Sequence, residues 1–362
     1  MVIIGAGPAG STAAILLARE PGFRVTLVEQ HRFPRDKVCG ECLSALGIDV
    51  LRRLGLAQAA RQLDPVVFTR TAVHAPNGAS LSLSLPRHMW GISRVRFDTF
   101  LLDAARGSGA RLLQPARGER VDRSVAVRSL ESNTIELLHA DLVLVADGKG
   151  ALLPSRPTPT RQFGVKAHFV NVDGPRDAIE LFGVCGCYAG LAAIERNRWN
   201  AAFSVPESRL RGCDGLDRLF AEMLAENAAL RLRFRSAARV TAWLAAPLPR
   251  FSVARRFAHN IIPIGNAAAA LEPIGGEGMG LAMRSAEVAA EELIAAHRAA
   301  RAARAARAES IRARYEPLWR LRSVACRAAG LAISSPRVAR IGVRVIPPPL
   351  ARLAMRLTGK SR

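Results

Sequence analysis

The chain opens Met1-Val-Ile-Ile-Gly5-Ala-Gly7-Pro-Ala-Gly10. A short apolar run stops at three glycines spaced Gly-x-Gly-x-x-Gly. Pro8 to Arg19 then reads as a helix, and Phe23 to Val28 as a second apolar strand ending at Glu29. Gly5 permits a tight turn, Gly7 lets the backbone approach a pyrophosphate, and Gly10 lets helix and strand pack closely. Pro8 and Ala9 open the helix, whose N-terminal N–H groups and dipole favour an anion. Glu29 is placed to accept hydrogen bonds from ribose hydroxyls and disfavours a 2′-phosphate. Strand, helix, strand and acid together predict a dinucleotide site, without separating FAD from NAD.

Two later stretches repeat the pattern of a buried strand running into a small-residue turn. Asp141-Leu-Val-Leu-Val-Ala-Asp147-Gly148 ends a strand in a carboxylate at the edge where ligands bind such sheets. Ile261-Ile-Pro-Ile-Gly265-Asn266 ends another. It is followed by the loop Pro273-Ile-Gly-Gly276-Glu277-Gly278-Met279, which opens a helix to about Arg298. A helix N-terminus aimed at a flavin ring would stabilise negative charge on its reduced form. Between these segments the pattern changes. Phe163 to Val172, Ile179 to Gly183, Tyr188 to Ile194 and Trp199 to Val205 read as successive antiparallel strands.

The fold class expected is α/β: a Rossmann-like dinucleotide-binding domain, an inserted antiparallel-sheet substrate domain and a C-terminal helical tail. Residues 1–70, 93–160 and 253–298 are assigned to the cofactor domain, 71–92 and 161–252 to the substrate domain, and 299–362 to the tail. A hydrophobic content of 49% in 362 residues supplies a core and excludes a disordered chain. Six cysteines fit no disulfide framework, so a reducing cytoplasm is expected. Because the first residues read as a strand, no secretory leader is expected, and no apolar run reaches the length of a membrane span.

These motifs, in this order and spacing, resemble the FAD-dependent oxidoreductases with the para-hydroxybenzoate hydroxylase fold, and most of all their geranylgeranyl-reductase-like branch. The resemblance covers roughly residues 1–295. It implies that Gly5, Gly7, Gly10 and Glu29 bind the ADP half of FAD, and that Asp147 and Gly148 lie near the cofactor. Gly265 and Asn266 would meet the ribitol or pyrophosphate, and Pro273, Gly276, Glu277, Gly278 and Met279 the flavin ring. Asn266 departs from the family's Asp, which removes a charge but keeps an acceptor. Arg94, in Ile-Ser-Arg-Val-Arg-Phe-Asp, matches an Arg close to the cofactor. Cys39 and Gly40 match the Cys-Gly pair of the reductase-like branch, near the active site. Arg35 and Lys37 share that loop and would balance phosphate charge.

Cys39, Lys166 and Tyr188 are the catalytic candidates. Lys166 and His168 alternate on one strand and so face one side, where either could position substrate or supply a proton. A solvated strand face is the plainer reading for them, and for Tyr188, Glu195 and Trp199. Cys39-Gly-Glu-Cys42 has no second CxxC, so packing is favoured over a dithiol or metal role, and no metal is expected. The stretch Cys187–Ala192 lacks the Trp-rich Ile-Pro motif of flavin halogenases, which disfavours halogenation.

The net charge of +22 is concentrated late: residues 298–362 hold 16 Arg or Lys against Glu309 and Glu316. The tail reads as a solvated helix, or as a peripheral contact with an acidic membrane. In the second case Leu318, Trp319, Leu321, Val324, Leu331 and Ile333 supply an apolar face. No nucleic-acid module accompanies the charge, so no specific nucleic acid is expected. The function expected is reduction of an isoprenoid or polyene double bond in a hydrophobic small molecule. NADH or NADPH, or a separate reductase, would supply electrons. Monooxygenation of an aromatic or polyketide-like substrate is the alternative on the same fold. A basic membrane- or RNA-associated protein with a vestigial nucleotide fold is the alternative of another class.

Overall fold

A computed structural model describes residues 1–121, 124–148, 152, 161–254, 261–299 and 304–360. Val2–Ile4 is the central strand of a five-stranded parallel sheet in the order Ile261–Pro263, Val143–Val145, Val2–Ile4, Thr26–Val28, Arg111–Leu113. The three strands that carry the turn motifs are therefore neighbours, although 256 residues lie between the first and the last in sequence. Alternation along these strands decides the two faces. Ile3, Leu27, Leu144 and Ile262 point to one side, where the helices Pro8–Ala18, Arg94–Gly107 and Gly278–Arg298 cover them. Val2, Ile4, Val28, Val143 and Val145 point to the other. There a small antiparallel sheet of Ala116–Val121, Val125–Ser129 and Ile135–Leu138 covers them, an element the sequence reading did not anticipate.

The second large sheet has nine strands. Gln162–Val170, Trp199–Pro206, Cys187–Ala193 and Ala178–Val184 pair antiparallel to one another in that order, close to the bounds expected from the sequence. The sheet is mixed, because Ala178–Val184 pairs in parallel with Val66–His74. That strand runs through position 70 and continues the sheet into Ser80–Gly91 and Cys42–Leu43. The loop 29–41 is thereby tied at one end to the parallel sheet and at the other to the large sheet.

Past the described gap the tail forms a helix from Arg304 to Ser334, then Pro336–Val345 and Pro348–Met355. It packs on the body. Tyr315, Trp319, Cys326 and Ile333 are buried, and the Trp319 indole N–H donates to the Ala270 carbonyl at 2.9 Å. The six apolar residues expected to form one membrane-facing surface are split by the helical period. Trp319 and Ile333 face inward, while Leu321, Val324 and Leu331 face out.

Candidate active site between the two sheets

The first turn behaves as its glycines require. Gly5 sits at φ +102°, and a Cβ there would stand 2.5 Å from the Ala146 carbonyl oxygen. A Cβ on Gly10 would lie 1.7 Å from the Gly5 oxygen. Both contacts are with backbone, so neither can be relieved by a rotamer change. The helix that follows begins at Pro8 with no side-chain cap, which leaves its first N–H groups open. The helix Gly278–Arg298 also begins without one.

Both helix ends open on one cavity of about 850 Å³. Gly7, Pro8, Ala9, Gly148, Gly265, Asn266, Pro273, Gly276, Gly278 and Met279 line it, together with Lys37, Cys39, Gly40 and Arg94. The far wall belongs to the large sheet and includes Ile179, Leu181, Tyr188, Leu191 and Phe203. Turns from distant parts of the chain thus close on a single cleft, with cations on one side and apolar side chains on the other.

Several predicted residues do something other than expected. The Glu29 carboxylate accepts from the Ala6 and His31 backbone N–H groups, both at 2.8 Å, and does not form part of the cavity wall. It fixes the glycine turn, and each oxygen keeps a further acceptor position. Arg35 is turned away from the cavity. Its guanidinium lies 3.9 Å from Glu29 and 3.9 Å from Asp98 and stacks over Phe33. Of the two cations predicted in this loop, Lys37 is the one that lines the cleft, with its Nζ beside Gly148. Burial, with Arg94 and Arg35 nearby, pushes its ammonium down to about 8. Asp147 stands behind the wall that its neighbours Ala146 and Gly148 form. Glu277 is also turned away from the cavity. It is buried against the tail, where a Cβ on Gly359 would meet both its carboxyl carbon and the Arg322 Nε at 2.7 Å.

Lys166 does not face the cavity. Its buried ammonium donates to Glu41 and to Asp36, both at 2.7 Å. His168 meets the other Glu41 oxygen at 2.7 Å, and the Arg94 N–H donates to Glu41 at 2.8 Å. Burial alone would raise the Glu41 carboxyl, but Lys166 and His168 overcome it and hold the group below its ordinary range. Lys166 is therefore a positioning residue. Lys166 and His168 share one side of the strand, as the alternation predicts, and the partner they share is Glu41 of Cys39-Gly-Glu-Cys42, which the sequence pattern alone does not point to. The cluster ties the Cys39 loop to the large sheet, and Asn200 reinforces it by donating to the Cys39 carbonyl at 3.0 Å. Cys39 and Cys42 both line the cavity, and the buried Cys42 donates its thiol hydrogen to the Gly40 carbonyl. Glu195 and Trp199 are buried rather than solvated, and Glu195 accepts from the Ser93 backbone at the start of the Arg94 helix.

Tyr188 does face the cavity. Its hydroxyl donates to Glu272 Oε1 at 2.7 Å, and Ser204 Oγ approaches the same oxygen at 3.4 Å. Burial raises the Glu272 carboxyl above its ordinary range, with the hydrogen bonds from Tyr188 and Ser204 only partly opposing it. Burial also holds the Tyr188 phenol well above its usual value, so it remains a donor. Glu272 was not singled out from the sequence. Its one signal in the sequence is its place immediately before the Pro273–Met279 loop.

The donor set fits a dinucleotide: two uncapped helix ends, Lys37 and Arg94 converge where a pyrophosphate needs positive charge. Residues 1–182 match the family model described as FAD binding domain. The chain belongs to that family. It is an FAD-binding flavoprotein of the oxidoreductase class; Gly7, Ala9, Lys37, Arg94, Gly265, Asn266, Gly276 and Met279 line the cavity and would hold the cofactor there. Among curated proteins, it is 27% identical over 327 residues to conditioned medium factor receptor 1 of Dictyostelium discoideum, covering 81% of this chain and 62% of that one. It is 27% identical over 319 residues to a menaquinone reductase of Mycolicibacterium smegmatis, covering 80% and 75%. Two solved structures share the fold. The flavin-dependent brominase Bmp2 superposes with a TM-score of 0.81 at 19% identity over 99% of this chain and 92% of its own. A geranylgeranyl bacteriochlorophyll reductase-like protein of Thermoplasma acidophilum gives 0.79 at 17% over 99% and 94%. Among the described residues no helix is long and apolar enough to cross a membrane.

Proposed function

We propose that the chain is a flavin-dependent reductase that saturates a carbon–carbon double bond in a long apolar molecule of the isoprenoid class. The observation that carries this reading is the Tyr188–Glu272 pair, an acid set among Ile179, Leu181, Leu191 and Phe203 in the cavity that the glycine turns also line. Adding hydrogen across an alkene needs a hydride on one carbon and a proton on its neighbour. Bound FAD, reduced by NADH or NADPH, supplies the hydride chemistry. Glu272 supplies the proton. Its raised affinity for protons keeps it loaded closer to neutral pH than an exposed carboxyl would be. Tyr188 orients that carboxyl through Oε1, and the apolar wall excludes water and binds the chain of the substrate. The Glu41–Lys166–His168 cluster holds the Cys39 loop against the opening. The names of two relatives, the menaquinone reductase and a digeranylgeranylglycerophospholipid reductase of Methanopyrus kandleri, support an unsaturated apolar substrate.

The test is anaerobic turnover of the FAD-loaded protein with NADH or NADPH and a panel of polyprenyl compounds, read by mass spectrometry. A product that gains two hydrogens without dioxygen is expected. A product that forms only with dioxygen and carries a new oxygen would replace this reading with monooxygenation.

A further inference from the structure

We propose that the three tail helices form a docking surface for an anionic phospholipid bilayer. It rests on the reading above only for the identity of the substrate, since the docking itself needs no turnover.

The outer face of the tail carries apolar side chains at helical spacing. Leu321, Val324 and Leu331 are 58%, 71% and 74% exposed. At about 100° per residue they fall within roughly a quarter of the helix circumference, opposite Trp319, Cys326 and Ile333. The next helix repeats this with Val338, Ile341 and Val345, exposed at 50%, 64% and 70%, while its Ala339 turns in against the body. Leu350 and Leu353 add a third pair. Exposed apolar residues singly need no explanation, but eight on three consecutive helices do.

The charge beside them names the partner. After Glu316 the sequence contains ten Arg or Lys and not one Asp or Glu. Arg337, Arg340 and Arg344 flank the Val338–Ile341–Val345 stripe, are exposed, and pair with no carboxylate among the described residues. A protein partner would need a matching acidic and apolar face. An anionic leaflet offers both, with lipid phosphates for the guanidinium groups and acyl chains for the apolar side chains. Amphipathic helices of this composition lie in the interface plane rather than cross it.

The position of the surface gives it a purpose. Cys326 and Ile333, on the inner face of the long helix, pack against Leu181, Tyr188 and Ile274, which line the cavity. One helix, about 10 Å across, separates the docking face from the wall that holds the acid. An apolar substrate dissolved in the bilayer would then meet the enzyme without passing through water.

The experiment is cosedimentation of the full FAD-loaded chain with vesicles of phosphatidylcholine alone and of phosphatidylcholine containing phosphatidylglycerol, at low and high salt. Binding to the anionic vesicles that weakens with salt is expected. Leu331→Glu and Ile341→Glu, both at exposed positions, should each lower the partition by about ten-fold or more while leaving the melting temperature unchanged. No binding to either vesicle, equal binding to both, or variants that bind like the parent would overturn the proposal. So would a dimer in solution that Leu331→Glu separates, or tighter binding to RNA than to the anionic vesicles. Failure here leaves the reductase assay with soluble substrates unaffected, so the two readings stand or fall separately.

Discussion

Lys37 makes cofactor affinity depend on pH in a direction that can be worked out from the site. Its ammonium is buried beside Arg94 and Arg35, and burial together with these charges brings it to about 8 in the empty protein. An anionic pyrophosphate favours the charged form, so binding selects the protonated fraction. If only that fraction binds, raising the pH from 7 to 9 takes it from about nine-tenths to about one-tenth, and the FAD dissociation constant rises about ten-fold, equivalent to about 1.4 kcal/mol. The stability of the empty protein should move the other way. Unfolding returns Lys37 to its ordinary value of about 10.4, so above pH ~8 the unfolded chain holds the extra proton and stability rises with pH. Titrating the apoprotein with FAD by fluorescence quenching across this range measures the first trend, and thermal melts without cofactor measure the second. Lys37→Met should bind FAD weakly with no such slope, and Lys37→Arg should retain affinity at high pH. A flat affinity in the parent protein, or an unchanged slope in Lys37→Met, would refute the assignment.

Three further outcomes follow from the geometry. Gly10→Ala places a methyl group 1.7 Å from the Gly5 oxygen, so the turn must open; FAD absorbance near 450 nm should be lost on purification, with a destabilisation of about 1 to 3 kcal/mol in denaturant melts. Glu272→Gln should lower turnover by about 10²–10⁴-fold with little change in FAD affinity. Because the Glu272 carboxyl is raised, the parent's activity should fall as pH climbs through that raised value, and this limb should vanish in the variant. Glu41→Gln leaves Lys166 with one carboxylate instead of two and should cost about 3 to 5 kcal/mol in chemical denaturation. Since the Glu41 carboxyl is lowered, its contribution should be present above the ordinary carboxylate range and disappear as pH falls through the folded value, a dependence the variant should lack.

The cofactor half of the cleft was legible in the sequence because backbone requirements write it. Gly5 and Gly10 are demanded by a carbonyl oxygen at 2.5 Å or less, and demands of that kind fix residue types at fixed spacing. The parallel strands were legible for a related reason: strands buried on both faces read as continuous apolar runs. The small sheet of 116–138 was not, since its exposed strand Ile135–Leu138 and charged strand Ala116–Val121 carry a weak pattern. The inward face of the tail was hidden by composition, because Arg and Ala repeat around the whole helix while Trp319 and Cys326 are single residues.

The site residues divide along the same line. Those that were misplaced, Lys166, Arg35 and Glu277, are long charged side chains, and a strand or loop position does not say which way such a chain leaves the backbone. Where they end is decided by partners distant in sequence: Glu41 lies 125 residues from Lys166, and Glu272 lies 84 from Tyr188. Both partnerships join the cofactor domain to the large sheet. The chain shares its fold at under 20% identity with a brominase and with a reductase-like protein, and a fold alone does not fix the chemistry, which resides in the side chains of the site. In this chain Tyr188 and Glu272 border the cavity where the loop 273–279 meets the apolar wall. Under the reading proposed above they, rather than the glycine turns, would select the substrate and the reaction, and the Glu272→Gln variant is the test of that.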